Sequence, residues 1–211
     1  MTTMSPASSD PGAIALVRPR AGLCLDFANT RSWRGRATPQ EDLGDFEQLI
    51  AWSVAAGAID GASGKALAVW GRDHPARSAA IFGEALQLRE TIYRLFDRGP
   101  EGLPRDDDFN RLNRALAAAP ARMTLRSAAD GFAWGVARLK PTATSVLAAV
   151  LWSAADLLID PRRRRVRACA NDQCRWVFLD DSKSGNRRWC AMSSCGNRAK
   201  ARRHYHRHRE R

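Results

Sequence analysis

The 211-residue chain is 45% hydrophobic and 27% charged, ordinary proportions for a soluble globular protein. No apolar run approaches the ~20 residues of a membrane span. The opening MTTMSPASSDPGAIALVRPR has neither the charged lead and apolar block nor the cleavage site of a secretory signal, so a reducing cytoplasm is the expected compartment. The formal charge of +12 is confined to the last quarter. Residues 1–160 balance 18 basic against 18 acidic side chains, whereas 161–211 set 16 Lys and Arg against Asp172, Asp180, Asp181 and Glu210. That asymmetry suggests a neutral body followed by a module for a polyanion. The excess of arginine, 30 against 4 lysines, runs through both parts and carries no separate message.

In chain order, residues 1–12, rich in Ser, Pro, Thr and Gly, read as a disordered leader. AGLCLDFANTR, 21–31, holds Leu23 and Phe27 four apart and suits a brief helix, and RSWRGRATPQ reads as a loop. Between Glu41 and Ala58, the positions Leu43, Phe46, Leu49, Ile50 and Val54 mark the apolar face of an amphipathic helix. GAIDGASG breaks it, and a second helix is predicted over 65–72. The strongest periodicity lies at 76–98, through Ile81, Ala85, Leu88, Ile92 and Leu95, and Gly99-Pro100 ends it. Another helix opens at Asp106–Asp108, where carboxylates suit a helix start better than a metal site, and stops at Pro120. Alternation on both sides of Asp130-Gly131 predicts a β-hairpin. A long apolar helix follows from Pro141 to near Pro161. Beyond Pro161, RRRRVRAC and RWVFLD read as short strands, DSKSGN as a turn, and the chain from about Gly196 as a helix with a basic face.

The basic segment holds four cysteines in two close pairs, Cys169 with Cys174 and Cys190 with Cys195, fifteen residues apart. Two pairs around a hairpin-sized insert are the usual layout of a structural zinc site, because each tight turn presents two sulfurs to one tetrahedral ion. The four-residue gap within each pair is at the long end of knuckle spacing. In a reducing compartment zinc is favoured over disulfides or free thiols. Four thiolates close the coordination shell, so the ion is structural rather than catalytic. Apolar side chains are few here, with Trp176 and Trp189 expected as a small core beside the metal, so zinc should supply part of the folding free energy. Cys24, between two leucines, reads as a buried small hydrophobe.

CGNRAKARRHY, directly after the second pair, resembles the signature of the CGNR zinc finger family, and CANDQCRWVFLDDSKSGNRRWC resembles the rest of that module. LCLDFANT and the helical body are similar to the ABATE domain, which typically precedes this finger; together the likeness covers about residues 15–211. It implies a bacterial, stress-induced transcriptional regulator with a DNA-binding finger. Cys169, Cys174, Cys190 and Cys195 match the metal positions, and Gly196, Asn197 and Arg198 match the name motif.

With Cys195 at the start of the last helix, zinc would fix that helix's direction, Gly196 would let the chain turn, and Asn197 could cap a free amide. Arg198, Arg202, Tyr205 and Arg209 fall on one stripe and Lys200, Arg203 and Arg207 on the next. Arg187 and Arg188 on the hairpin, with Arg162–Arg165, add charge for phosphate contacts. His204, His206 and His208 belong to the same basic face. Arg198 is the first candidate for reading a base.

Other motifs fall away. GASGKA lacks the first glycine and the Ser/Thr of a phosphate loop. Asp26 and Asn29 suit helix capping or a buried polar bond better than a ligand pocket. No catalytic motif is present, and no enzyme activity is expected. The expected architecture is α+β. A leader, 1–12, precedes a mainly helical domain with one β-hairpin, 13–160, and a small treble-clef-like four-cysteine zinc finger, 161–211. Its partner is expected to be nucleic acid, DNA before RNA, with an acidic protein as the alternative. A small-molecule effector of the helical part and a homodimer are compatible with its neutral charge, and nucleoid association would follow from DNA binding.

Overall fold

Two helix starts in this chain are set by aspartates. In the computed structural model, which describes residues 14–16, 19–97, 105–122, 124–128, 131–136, 141–201 and 205, Asp45 caps α2 (Phe46–Ala55) by accepting from Gln48 N at 2.8 Å. Asp60 caps α3 (Gly61–Asp73) through Ser63 N at 2.7 Å. The cap at Asp45 shortens the helix predicted from Glu41. Gln40–Glu41 is instead a strand, β3, paired with β2 (Arg31–Ser32). The cap at Asp60 likewise starts α3 four residues before the predicted Lys65. The segment predicted as a loop, 31–40, is thus closed by a two-stranded ladder at its ends.

Helix α1 (Leu23–Ala28) lies at the centre, packed against α4 (Pro75–Phe96), α7 (Ala148–Ile159) and strand β7 (Val177–Leu179). Five of its six residues are buried, and the sixth, Asp26, pairs with Arg20 at 2.5 Å. Pro75 at the first turn suits the start of α4. α5 (Asp106–Ala118) opens on its three aspartates as predicted and packs on α4. Residues 1–12 and Gly99-Pro100 lie outside the described residues.

The predicted hairpin forms between β4 (Thr124–Ala128) and β5 (Gly131–Val136), with Ala128 opposite Gly131; Asp130 lies outside the described residues. A third strand, β1 (Ile14–Leu16), adds to the other edge of β5, a pairing across 120 residues that no local pattern announces. The helix predicted as continuous from Pro141 is two helices, α6 (Ala143–Val146) and α7, joined at Leu147, whose ψ of 12 departs from helical values. Leu147 is fully buried and the apolar pattern passes straight through it, so the sequence hides the break.

After a 3-10 turn at Pro161–Arg165, where the sequence predicts the start of a strand, β6 (Val166–Ala168) pairs with β7; the hairpin predicted between Cys174 and Cys190 is instead this one, which encloses the first cysteine pair. Val166 and Val177 belong to the same core as α1, α4 and α7. The finger therefore draws apolar burial from the helical body as well as from its metal centre. Among the described residues no helix is long and apolar enough to cross a membrane.

Candidate metal centre and nucleic-acid interface

The β6–β7 hairpin carries the first cysteine pair in its loop. Cys169 N donates to Trp176 O at 2.7 Å, and Cys174 N donates to Asn171 O at 2.9 Å, the tight turn that aims both sulfurs the same way. Ala170 N donates to Arg188 O at 2.8 Å, which lays the segment before Cys190 alongside that loop. Cys195 sits in a π-helical turn, Met192–Gly196, that runs into the C-terminal helix at 197–201. The four sulfurs all lie within 4.8 Å of one another, and Cys174 and Cys190 are 3.8 Å apart. A tetrahedron with metal–sulfur bonds of about 2.3 Å has edges of about 3.8 Å. The donor set therefore fits one Zn2+ with a closed, structural shell, as the spacing predicts. All four are free thiols, not disulfides.

Proton sharing within the cluster points the same way. Hydrogen bonds from Cys174 and then Cys190 pull the Cys169 thiol far below its ordinary value, while the bond to Cys169 pushes Cys174 up. One thiolate is thus stabilised at its neighbours' expense unless a cation allows all four to ionise. Bound zinc would supply that charge and tie the hairpin to the C-terminal helix. Asn171 Nδ2 also donates to Cys195 Sγ at 3.5 Å, an outer contact that no motif singles out.

Asp180, counted from the sequence only as a charge, is fully buried and organises the next turn. It accepts from Ser182 N at 3.0 Å, Ser182 Oγ at 2.5 Å and Arg187 N at 2.9 Å. The Ser182 bond leads in holding its carboxyl below the ordinary range.

The small core beside the metal differs from the expected one. Trp189 packs there with Phe178, but Trp176 does not; the second indole is Trp33, from the loop between β2 and β3. Trp176 points to an open groove with Trp52, Asp26 and Asn29. Asn29 does not offer that groove its amide. Its Nδ2 donates to Val177 O at 2.8 Å and its Oδ1 accepts from Val177 N at 3.1 Å, the buried polar bond expected of it.

The basic residues divide by what their guanidiniums already hold. Arg187 donates to Trp189 O at 2.9 Å and to Cys190 O, and stacks on Phe178. Arg165 and Arg167 donate to Ser182 O and Gly185 O, and Arg162 pairs with Asp160. Arg188, Arg198 and Lys200 are exposed, Arg188 lying against Trp189 and Arg198 against Trp33. Tyr205 is helical and 58% exposed. Arg202, Arg203, Arg207 and Arg209, with the three histidines of that face, lie outside the described residues.

Two roles in the name motif differ from expectation. Asn197 caps no amide; its Nδ2 donates to Ser193 O at 3.5 Å. Gly196 makes no turn either, since it continues the helix with its N–H donating to Ala191 O. A Cβ there would come within 2.7 Å of Met192 Sδ, so the glycine serves close packing. Cys24 is fully buried, as expected, and burial pushes its thiol up to about 12.

Comparison with known families accounts for both parts. The ABATE family model, described as "Putative stress-induced transcription regulator", matches residues 21–161, and the CGNR zinc finger model matches residues 165–208. Curated proteins give no match. The two family matches are of regulatory and zinc-finger type rather than enzymatic. With the four-thiolate centre inside the second match and the helical body filling the first, the chain belongs to the ABATE family and carries a CGNR zinc finger behind that domain.

Proposed function

We propose that this protein is a DNA-binding transcription regulator in which the zinc centre orients the C-terminal helix against duplex DNA. The observation that carries the reading is the meeting of metal and charge. The segment with the whole +12 of formal charge is the one whose last helix begins at a zinc ligand. A helix pinned at one end presents its cations in a fixed direction, which a solvated basic tail does not. Arg188, Asn197, Arg198, Lys200 and Tyr205 form the described part of that surface, and Arg202, Arg203, Arg207 and Arg209 continue its charge along the sequence. Arg187 contributes chiefly by holding the Cys190 backbone in place. Residues 13–160 act as the sensing or pairing body, and the finger begins at Pro161.

The test is duplex binding by the zinc-loaded protein across a salt series, beside a Cys190→Ser, Cys195→Ser variant. Five to eight phosphate contacts give a slope of log affinity on log salt of roughly −4 to −7. That slope should collapse in the variant. Equal binding by the two would make the arginines an unstructured tail, and tighter binding to structured RNA at fixed salt would move the partner from DNA to RNA.

A further inference from the structure

The loop between β2 and β3 is far from the basic segment in sequence, yet it touches the zinc centre. Gly35 N donates to Gln173 O at 3.1 Å, in the turn between Cys169 and Cys174. A Cβ on Gly35 would lie 1.8 Å from Asp172 O, so this approach is open only to glycine. Trp33 is held at φ 54, a conformation bulky residues rarely adopt, and its ring packs with Cys169, Cys174, Phe178 and Cys195.

Two guanidiniums lie against that ring, Arg36 at 3.9 Å and Arg198 at 4.6 Å from its centroid. Both arginines are exposed, and among the described residues neither has a carboxylate partner. The contrast within the loop is informative, because Arg31 and Arg34 both pair with Glu90. Two like charges sharing one indole repel each other unless an anion joins them. The cavity beside Arg198, about 160 Å³ and lined also by Trp33, Asn171, Gln173, Trp189 and Cys195, is smaller than the ~300 Å³ at which small-molecule sites begin; Arg36 lies outside its lining, on the Trp33 ring. Its size, with the Arg198 guanidinium at its wall, suits a phosphate group.

From this geometry we infer that Arg36, presented on the same Trp33 ring as Arg198, contacts the phosphates of duplex DNA, so that the DNA-binding surface is shared between the ABATE domain and the finger. The inference rests on the DNA-binding reading above. It adds a residue outside the basic segment and gives Trp33 a role as the platform that aligns the two arginines.

The test uses the full zinc-loaded chain and a random-sequence duplex of about 20 base pairs, with anisotropy read from low to moderate salt. Arg36→Ala should lower the magnitude of the salt slope by about 1 and weaken binding roughly fivefold near 0.15 M salt, equally across sequences. Arg36→Lys should restore most of the slope. Arg114→Ala, which removes the same charge from the α5 surface beside Asp107 and Asp108, should change neither. Zinc content and thermal midpoint, measured alongside, should match the parent because Arg36 is exposed. If Arg36→Ala binds like the parent while Arg198→Ala loses affinity, the inference is wrong and the finger alone contacts DNA. A parent protein that binds no DNA at any salt overturns both readings.

Discussion

At the scale of single residues, Asn29 has the largest consequence for its size. The residue is 7% exposed, and its amide completes both backbone groups of Val177, acting as one rung of a strand. Asn29→Ala should leave a buried N–H and a buried C=O unpaired and cost about 2–4 kcal/mol, read as a fall in the urea midpoint at unchanged m-value. Asn29→Asp should be worse at neutral pH than in mild acid, since an ionised oxygen would face the Val177 carbonyl. Glu90 offers a second pH-dependent test, with a native carboxyl. Burial opposes its ionisation, but bonds and charge from Arg34, with the charge of Arg89, outweigh it and hold the carboxyl below its ordinary value. A carboxyl depressed on folding contributes stability above its unfolded value of about 4.3, and the contribution is lost as pH falls through the folded value. Glu90→Gln should therefore cost about 1–3 kcal/mol at pH 7 and progressively less below pH ~4, in matched urea titrations.

At the scale of elements, two glycines invert the ranking that sequence motifs suggest. Gly196 stands in the name motif, yet a Cβ there meets the end of the flexible, half-exposed Met192 side chain, within a helix that favours alanine. Gly196→Ala should change stability by less than about 1 kcal/mol. Gly35, in a loop no motif marks, would drive a Cβ into the Asp172 backbone, and Gly35→Ala should cost about 1–3 kcal/mol and loosen Trp33 from the zinc centre. Thermal melts with zinc content recorded for each variant would check both. The contrast shows what was legible. Cysteine pairs can be read because metal chemistry fixes residue type at short spacing, and the hairpin, the helices capped at Asp45 and Asp60 and the helix opening on Asp106–Asp108 follow from local patterns. The Leu147 break, the β1 pairing and the seat of Trp33 depend on partners more than a hundred residues away or on packing within a uniformly apolar run. Trp176 went to the wrong core for the same reason: one indole looks like another until the fold places Trp33 nearer the sulfurs.

At the scale of the whole molecule, unlike contacts join the metal centre and the helical body, among them the Asn29 amide on Val177, Gly35 on Gln173, and Tyr93 Oη donating to Arg175 O at 3.0 Å. Arg175 also pairs with Asp97 at 3.0 Å, and Val177 lies fully buried in the main core. Removing zinc should therefore reach beyond the finger. Chelation leaves four clustered thiols without their cation and frees the hairpin from the C-terminal helix, so the segment 169–175 loses the geometry that receives Gly35 and Tyr93. Amide exchange in the apo protein should rise at 165–201 and again at 29–36, whereas α2 and α3, which pack on α4 and on each other, should keep their protection. Hydrogen exchange by mass spectrometry before and after chelation, with zinc added back to show reversal, makes the comparison directly. A rise confined to 165–201 would mean that the ABATE domain holds its loop without the finger. In that case the alignment of Arg36 with Arg198 would depend on the ABATE domain's packing rather than on the metal.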